Sequence, residues 1–232
     1  MSKKDYYIIE KNRDKIIKGN ITNFLDPSTL NKVISTIKGH NYKIYYPYKD
    51  SEKVIIYTKE KPKIKLIEII SYEKLTHREI MGSLYNQNID SELFGDIIIY
   101  NNHYYILVME NIYNLIIDTI KIIGNKHVKL KEVDIAKIDN YERKYEEIDL
   151  IVSSLRIDSV ISKLIGISRE NIKKKFNDNE VLLNYEVCNK MTQKLKDNDI
   201  FSIRKYGKYK YVGIIKISKK NHYIIKCLKY ID

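Results

Sequence analysis

The sequence predicts an α+β protein composed of small domains. Short alternating apolar segments typical of strands lie between segments with apolar residues at helical spacing. The chain has 232 residues, a length that suits one medium domain or two to three small ones. Its 44% hydrophobic content is enough to bury a core and excludes an intrinsically disordered chain.

Residues 1–62 are expected to form a small N-terminal α+β subdomain. Asp26 followed by Pro27 is typical of a helix start, because the carboxylate caps free N–H groups and proline suits the first turn. Gly39 is expected to end this helix. Two alternating segments, 42–46 and 53–58, predict strands on either side of a turn.

Residues 63–140 predict a ferredoxin-like, RRM-like domain with the element order β-α-β-β-α-β. Thr76 and Glu79 form a capping box, and the pair Asn101-Asn102 tolerates the positive φ of a tight hairpin turn. Gly124 is expected as the left-handed residue that ends the second helix. The predicted strands are 65–70, 96–100, 103–109 and 127–133, and the predicted helices are 76–88 and 111–123.

The strands of this central domain lack the aromatic signature with which RNA-recognition modules stack bases. Only Tyr104 and Tyr105 are candidates, and neighbouring strand residues point to opposite faces. We therefore expect a structural domain with one tyrosine inside and the other outside.

The basic excess of the chain is concentrated at one end. Residues 154–232 hold 18 basic and 8 acidic side chains, a net charge of +10, whereas residues 1–153 carry only +2. AT-rich codons also favour lysine, but such a bias would spread along the chain in proportion to length. The asymmetry predicts a local anion-binding module at residues 153–232, with a merely solvated basic surface as the alternative. Residues 141–152, polar and charged, are interpreted as a linker or an exposed helix.

Two short helices open this C-terminal module. Arg156 and Lys163 share one face of the first helix, which Gly166 ends, and Ser168 caps the second. The second helix is expected to point Arg169 outward, together with Lys173, Lys174 and Lys175, while its N-terminus favours a phosphate. One apolar face of the first helix comprises Ile157, Val160, Ile161, Leu164 and Ile165.

Two strands are predicted after these helices. Residues 180–184 follow the left-handed candidate Asn179, and residues 200–204 follow a turn at 197–199. Residues 204–211 then alternate cations with tyrosines. Their charges could follow phosphates while the rings stack on bases, or the segment could be an edge strand that lysines protect against aggregation.

The order of these motifs resembles the S-four RNA-binding domain, also called the αL motif. The matching segments are 154–158 (SLRID), 167–169 (ISR), 181–184 (VLLN), 199–203 (DIFSI) and 204–207 (RKYG). Upstream, residues 23–27 (NFLDP), 75–84 (LTHREIMGSL) and 94–97 (FGDI) are similar to the bacterial YlmH family, which is related to RqcP and ribosome-associated heat-shock proteins.

The resemblance implies an RNA-binding protein that engages ribosomal RNA, with tRNA as a further expected ligand, on obstructed large ribosomal subunits during ribosome-associated quality control. Phosphates would be contacted by basic side chains, which salt would screen. The expected RNA-binding residues are Arg156, Ser168, Arg169, Lys173, Lys174, Asn184, Arg204, Lys205 and Lys208.

An enzyme is the rival hypothesis. Asp158 superficially mimics the catalytic aspartate of pseudouridine synthases, but its context is wrong, and we interpret it as a local hydrogen-bonding or helix N-terminal charge. An RNA-modifying site within residues 1–140 would need His77, Glu79 and Asp96 to converge on one pocket. We expect no enzyme; a third possibility is a protein-interaction scaffold with incidental basicity.

Several classes of protein and site are excluded by simple counts. Cys188 and Cys227 are too few for a disulfide scaffold or a four-thiolate zinc site, and neither a metal nor a cofactor is expected. The first residues lack the apolar core of a signal peptide, and no apolar run reaches the roughly 20 residues that span a membrane. We therefore expect a soluble, cytosolic protein with no membrane partner.

Overall fold

A computed structural model describes residues 3–100 and 102–231 of the chain. It combines helices with antiparallel sheets, which confirms the α+β class. The chain divides into two compact units, one ending at Glu142 and the other spanning Arg143–Ile231. Met1 and Ser2, the start of the segment examined for a signal peptide, and Asn101, half of the predicted turn pair, lie outside the described residues.

The first unit contains four helices and eight strands among its described residues. The helices are α1 (Lys3–Ile17), α2 (Pro27–Thr36), α3 (His77–Asn86) and α4 (Tyr113–Thr119). The strands are β1 (Lys43–Tyr45), β2 (Ile55–Tyr57), β3 (Ile64–Ile70), β4 (Phe94–Tyr100), β5 (His103–Met109), β6 (Ile122–Ile123), β7 (Lys126–His127) and β8 (Lys129–Val133).

The N-terminal part folds around a small core of its own. Asp26 caps α2 by accepting a hydrogen bond from the Thr29 N–H at 3.0 Å, as predicted, and β1 pairs with β2. Helix α1 was not expected from the sequence. Its Ile9 and Ile16 pack with the buried side chains of Leu25, Val33, Ile37 and Ile56. A separate domain ending at residue 62 stays a prediction, because Phe24, Tyr48 and Ile55 belong to the core of the central sheet.

The central sheet has the strand order β4-β5-β3-β8, with every neighbouring pair antiparallel. This order is that of the ferredoxin-like fold, and the capping box between Thr76 and Glu79 is present at the start of α3. The second helix is shorter than predicted and ends at Thr119. Residues 122–123 pair with 126–127 instead, and Gly124 takes its positive φ of 63° in that hairpin turn.

The face of this sheet that RNA-recognition modules leave open is covered here. A Cβ on Gly95 would lie 2.8 Å from the ring of Phe24 and 2.9 Å from Leu107, so only glycine permits this packing. Tyr104 and Tyr105 are each 5% exposed, and the Tyr104 hydroxyl accepts a hydrogen bond from the Leu75 N–H at 3.0 Å. The prediction that one of these tyrosines lies outside is wrong, because chain packed on both faces leaves neither ring accessible.

The second unit consists of two helices and one six-stranded antiparallel sheet. The helices are α5 (Ile157–Ile165) and α6 (Arg169–Asn177). The strands are β9 (Tyr145–Val152), β10 (Val181–Leu183), β11 (Glu186–Val187), β12 (Ile200–Ile203), β13 (Gly207–Ile217) and β14 (Tyr223–Tyr230). Their order is β11-β10-β12-β13-β14-β9.

The linker predicted at residues 141–152 is wrong, because most of it is β9. This strand pairs with β14 along its whole length, from Tyr145↔Tyr230 to Val152↔Tyr223. Its apolar residues alternate with acidic ones, and Glu147 forms an ion pair with Lys226 at 2.6 Å. Acidic residues are favourable here because the neighbouring strand supplies lysines, and Glu146 likewise lies 3.6 Å from Lys229.

Both predicted helix boundaries in this unit are confirmed. Gly166 ends α5 with a φ of 67°, and the Ser168 side chain accepts the Asn171 N–H at 3.3 Å at the start of α6. Ile172 and Phe176 point into the core, together with Ile157, Val160 and Ile161 of α5. The polar faces of both helices are thereby turned outward.

Candidate nucleic-acid interface

A cleft of about 550 Å³ lies in the second unit where the end of β9 meets α5, the start of α6 and the loop between β13 and β14. Three cationic side chains, Arg156, Lys163 and Arg169, line it against one carboxylate, that of Asp158. Four hydroxyl side chains also line the cleft: Ser153, Ser154, Ser159 and Ser162. Hydroxyls and cations together are the side chains that bind phosphate oxygens in nucleic-acid complexes.

Arg156 is held in place by its neighbour two residues along the chain. Its guanidinium donates to both oxygens of Asp158, at 3.1 Å from Nε and 2.5 Å from Nη2, and this pairing raises the pKa of Arg156. Asp158 Oδ1 also accepts the Ser159 N–H at 2.8 Å. The local structural role predicted for Asp158 is thus confirmed, and its carboxylate orients an arginine that points into the cleft.

The N-termini of α5 and α6 differ in whether their N–H groups are free to bind an anion. At α5, the N–H groups of Ile157 and Asp158 donate to the carbonyls of Gln193 and Met191, at 2.8 and 3.3 Å. At α6, Ser168 takes the Asn171 N–H, and Arg169 at the first helical position is exposed and lines the cleft. The positive end of α6 and its first side chain therefore favour an anion together.

The lysines farther along α6 differ in their exposure. Lys173 and Lys174 are exposed and lie outside the cleft lining, next to it on the same helix. Lys175, expected to point outward with them, is half-buried instead. Its ammonium forms an ion pair with Glu180 at 2.9 Å and lies 4.9 Å from the centre of the Tyr206 ring, and the bond to Lys175 lowers the pKa of Glu180.

Asn184 is exposed, but its side chain is engaged in two hydrogen bonds. Its side-chain amide donates to Asp199 Oδ1 and accepts the Ile200 N–H, both at 2.9 Å, and its φ is 49°. Both ends of the amide are therefore used to join the end of β10 to the start of β12.

Three further predicted contacts lie around the turn between β12 and β13. Arg204 has a side chain 72% exposed and stands 3.8 Å from Glu180, and Lys205 is exposed with a φ of 74°. Lys208 is enclosed: its ammonium lies 4.5 and 4.6 Å from the ring centres of Tyr185 and Tyr230. A cation held between two rings in this way stabilises the sheet surface, and the RNA contact expected of Lys208 stays a prediction.

For the alternating segment 204–211, the structure contradicts the edge-strand interpretation and the stacking of bases on two of its three tyrosines. Strand β13 lies between β12 and β14, so it is not an edge strand. Tyr209 and Tyr211 are 4% and 1% exposed and pack in the core, where no base can reach them. Only Tyr206 stays accessible, because it belongs to the turn and not to the inward face of the strand.

The cleft includes residues that the sequence patterns did not single out. Ser153 and Ser154 were placed at the start of the C-terminal module but not among the RNA-binding residues, and His222 was given no role. His222 lies at the end of the β13–β14 turn, next to the exposed Lys219 and Lys220. In the sequence, two lysines followed by an asparagine were the signal for a basic turn at this place. The structure gives this asparagine, Asn221, a φ of 57°.

The residues of the rival enzymatic site are engaged elsewhere. Glu79 bonds to Thr76 and to Lys126, at 2.8 and 2.7 Å, and these bonds lower its pKa to about 2, chiefly through Lys126. Asp96 accepts hydrogen bonds from the Tyr48 hydroxyl at 2.6 Å and the Glu52 N–H at 2.8 Å. These bonds hold the loop between β1 and β2 against β4. None of the three proposed residues lines the cleft of the second unit.

Three other features were searched for in residues 3–100 and 102–231. This part of the chain holds no cluster of three or more His, Cys, Asp or Glu side chains that could bind a metal ion. None of its helices is both long and apolar enough to cross a membrane. Cys188 and Cys227 are buried, and burial raises the pKa of Cys227 to about 12, so neither has the character of a nucleophile.

Comparison with known proteins assigns the central part of the chain. Residues 58–137 match a family model described as "Putative RNA-binding domain in YlmH". The resemblance to YlmH is confirmed. The matched residues include β3 to β8 with α3 and α4, and the 11 basic and 11 acidic side chains of residues 58–137 balance. The family description thus names putative RNA binding for the region in which only a structural role was expected, because its sheet lacks the aromatic signature.

Two relatives of known name share this similarity. The chain is 23% identical over 150 residues to "Ribosome-associated protein quality control protein P2" of Bacillus subtilis, a match that covers 65% of this chain and 58% of that protein. A solved structure, "Cell division protein ylmH from Streptococcus pneumoniae", matches with 25% identity and a TM-score of 0.47, covering 60% of this chain and 97% of the other.

Proposed function

We propose that this protein binds structured RNA on the ribosome through an S-four-type C-terminal unit, without modifying the RNA. The observation that carries the proposal is the convergence of Arg156, Lys163 and Arg169 on one cleft. These cations come from separate places along α5 and α6, in the part of the chain with a net charge of +10. A YlmH-type RNA-binding domain precedes them in the same chain.

The contact surface that the geometry supports differs in part from the set expected from the sequence. We assign phosphate contacts to Arg156, Arg169, Lys173 and Lys174, with Arg204 and Lys205 at a neighbouring turn and Ser168 as the cap that orients α6. Asn184 and Lys208 keep the sheet in shape and act indirectly. Lys163 and the β13–β14 turn join the contacting surface because they border the same cleft.

The choice of partner is supported by the relative in Bacillus subtilis, whose name refers to ribosome-associated protein quality control. We propose the same setting for this chain: ribosomal RNA of obstructed large subunits, with tRNA as a second ligand. A soluble cytosolic protein suits such a partner. The competing enzymatic hypothesis gains no support, because Glu79 and Asp96 are bonded into separate networks.

Sedimentation of cell lysate through sucrose gradients tests this proposal. The wild-type protein should migrate with ribosomal particles at low salt and leave them as salt rises, because each phosphate contact releases counterions. Replacing Arg169 and Lys173 together with alanine removes two contacts. It should flatten the slope of log affinity against log salt by roughly 1.5.

The matched control is Lys144→Ala with Lys196→Ala, which removes the same charge from exposed lysines of the same unit that do not line the cleft. The control should keep most of the ribosome association. Equal losses in both variants would reduce the effect to net charge, and unchanged binding in the Arg169 and Lys173 variant would contradict the assigned surface.

A further inference from the structure

The loop between β3 and α3 in the first unit exposes an aromatic ring at its tip. Tyr72 is fully exposed, with a relative accessibility of 105%. The side chains of Tyr104 and Tyr105 in the neighbouring sheet are buried, so they cannot replace it as a surface for bases. An accessible tyrosine ring can stack on an unpaired base of any sequence.

Exposed cations lie in this loop and on the elements that border it. Lys74 lies in the same loop, and Arg78 lies in the first turn of α3. Lys129 pairs with Ile70, the residue that precedes the loop, in the β3–β8 ladder. We call Tyr72, Lys74, Arg78 and Lys129 the corner surface. The YlmH-type domain has no net charge, so this grouping of cations is a local feature.

A partly exposed ion pair links the elements of the corner surface. Lys126 donates to the Lys74 carbonyl at 2.9 Å and to Glu79 Oε1 at 2.7 Å, which ties the loop both to the β6–β7 hairpin and to α3. Glu79 is therefore neutralised by its partner and does not repel an incoming anion. Glu73 is the exposed carboxylate in the loop, and three exposed cations outnumber it.

We propose that the corner surface binds a single-stranded segment of RNA. One unpaired base stacks on Tyr72, and the flanking phosphates contact Lys74, Arg78 and Lys129. Single-stranded RNA is the ligand because bases within an A-form helix are already stacked and do not offer a free face. The inference rests on the proposed function in taking RNA as the ligand, but it uses a different unit of the chain.

Photo-crosslinking of the full chain to a short oligouridylate that carries one 4-thiouridine tests this site. Mass spectrometry of the digested complex should recover the nucleotide on the peptide that contains Tyr72. Tyr72→Ala should lower the crosslinked fraction and the affinity by about tenfold, while Tyr72→Trp should restore both, because indole also stacks on bases. Tyr6→Ala, another exposed tyrosine of the first unit, should change neither.

The cations are tested by the salt dependence of the same oligonucleotide's affinity. Replacing Lys74, Arg78 and Lys129 with alanine should reduce the slope of log affinity against log salt by about 2, since single strands contribute about 0.7 per contact. Lys61→Ala serves as the control, because it removes an exposed charge from the same unit without touching the corner surface.

Failure of this site is distinguishable from failure of the C-terminal assignment. In the Arg169→Ala, Lys173→Ala protein the crosslink at Tyr72 should persist, even though ribosome association is weakened. Two results would overturn the corner surface. One is a crosslink confined to the second unit. The other is a crosslinked fraction in the loop that Tyr72→Ala does not reduce. In the Arg169→Ala, Lys173→Ala protein, loss of ribosome association with an unchanged crosslink at Tyr72 would support both assignments.

Discussion

At the scale of single residues, Glu79 shows how a motif that can be mistaken for acid–base chemistry serves the fold. It lies in the sequence His77-Arg78-Glu79, yet its carboxylate caps α3 and binds Lys126. Because those bonds require the charged form, its pKa falls to about 2 from an ordinary 4.5. A carboxyl that is ionised throughout the neutral range and bonded on both oxygens is a poor general acid.

This pKa predicts a specific dependence of stability on pH. Since the folded-state value lies below the unfolded one, the stabilisation from Glu79 is present above pH 4.5 and is lost as pH falls toward about 2. Glu79→Gln should therefore lower the urea midpoint at pH 7, and the gap to the wild type should shrink on acidification. The control is Glu60→Gln, an exposed side chain of the same unit, for which no such closing gap is expected.

At the scale of elements, Gly95 in β4 decides how the N-terminal segment packs on the central sheet. A methyl group there would approach Phe24 at 2.8 Å and Leu107 at 2.9 Å, so Gly95→Ala should destabilise the protein by about 1–3 kcal/mol through overpacking. Gly82 in α3 has nothing within 4 Å of the corresponding position. Gly82→Ala should instead stabilise by about 0.5–1 kcal/mol, because alanine favours helices. Thermal unfolding of both variants measures the contrast.

Elements governed by local rules were predictable, and elements governed by distant partners were not. The caps at Thr76 and Ser168 and the end of α5 at Gly166 depend on a few neighbouring residues, which the sequence shows directly. Strand β9 is stabilised by β14 far along the chain, so its acidic residues look like those of a linker.

The candidate site was predictable to the same extent. Arg156 and Arg169 could be placed together from the two helices, because helical spacing and caps determine which side chains face outward. The burial of Lys175, Lys208 and the β13 tyrosines depends on which ring or strand lies beside them. That information is tertiary and has no local signature.

At the scale of the whole molecule, the two units predict where the chain can be divided. A fragment that starts at residue 143 keeps β9 and should fold alone, with cooperative thermal unfolding and dispersed amide resonances in NMR spectra. A fragment that starts at residue 153, the boundary expected from the sequence, lacks the strand that pairs with all of β14. It should aggregate or unfold, because the bare edge of β14 would be exposed. Equal stability of both fragments would contradict the role of β9.

The pairing of β9 with β14 also has a consequence for synthesis of the chain. Ribosomes add roughly 5–20 residues per second, so β9 emerges several seconds before the strand that completes its sheet. During that interval every strand of the first unit's sheets has already been synthesised, whereas β9 has no partner strand. The second unit, which carries the proposed ribosome-binding cleft, is thus completed later than the first unit.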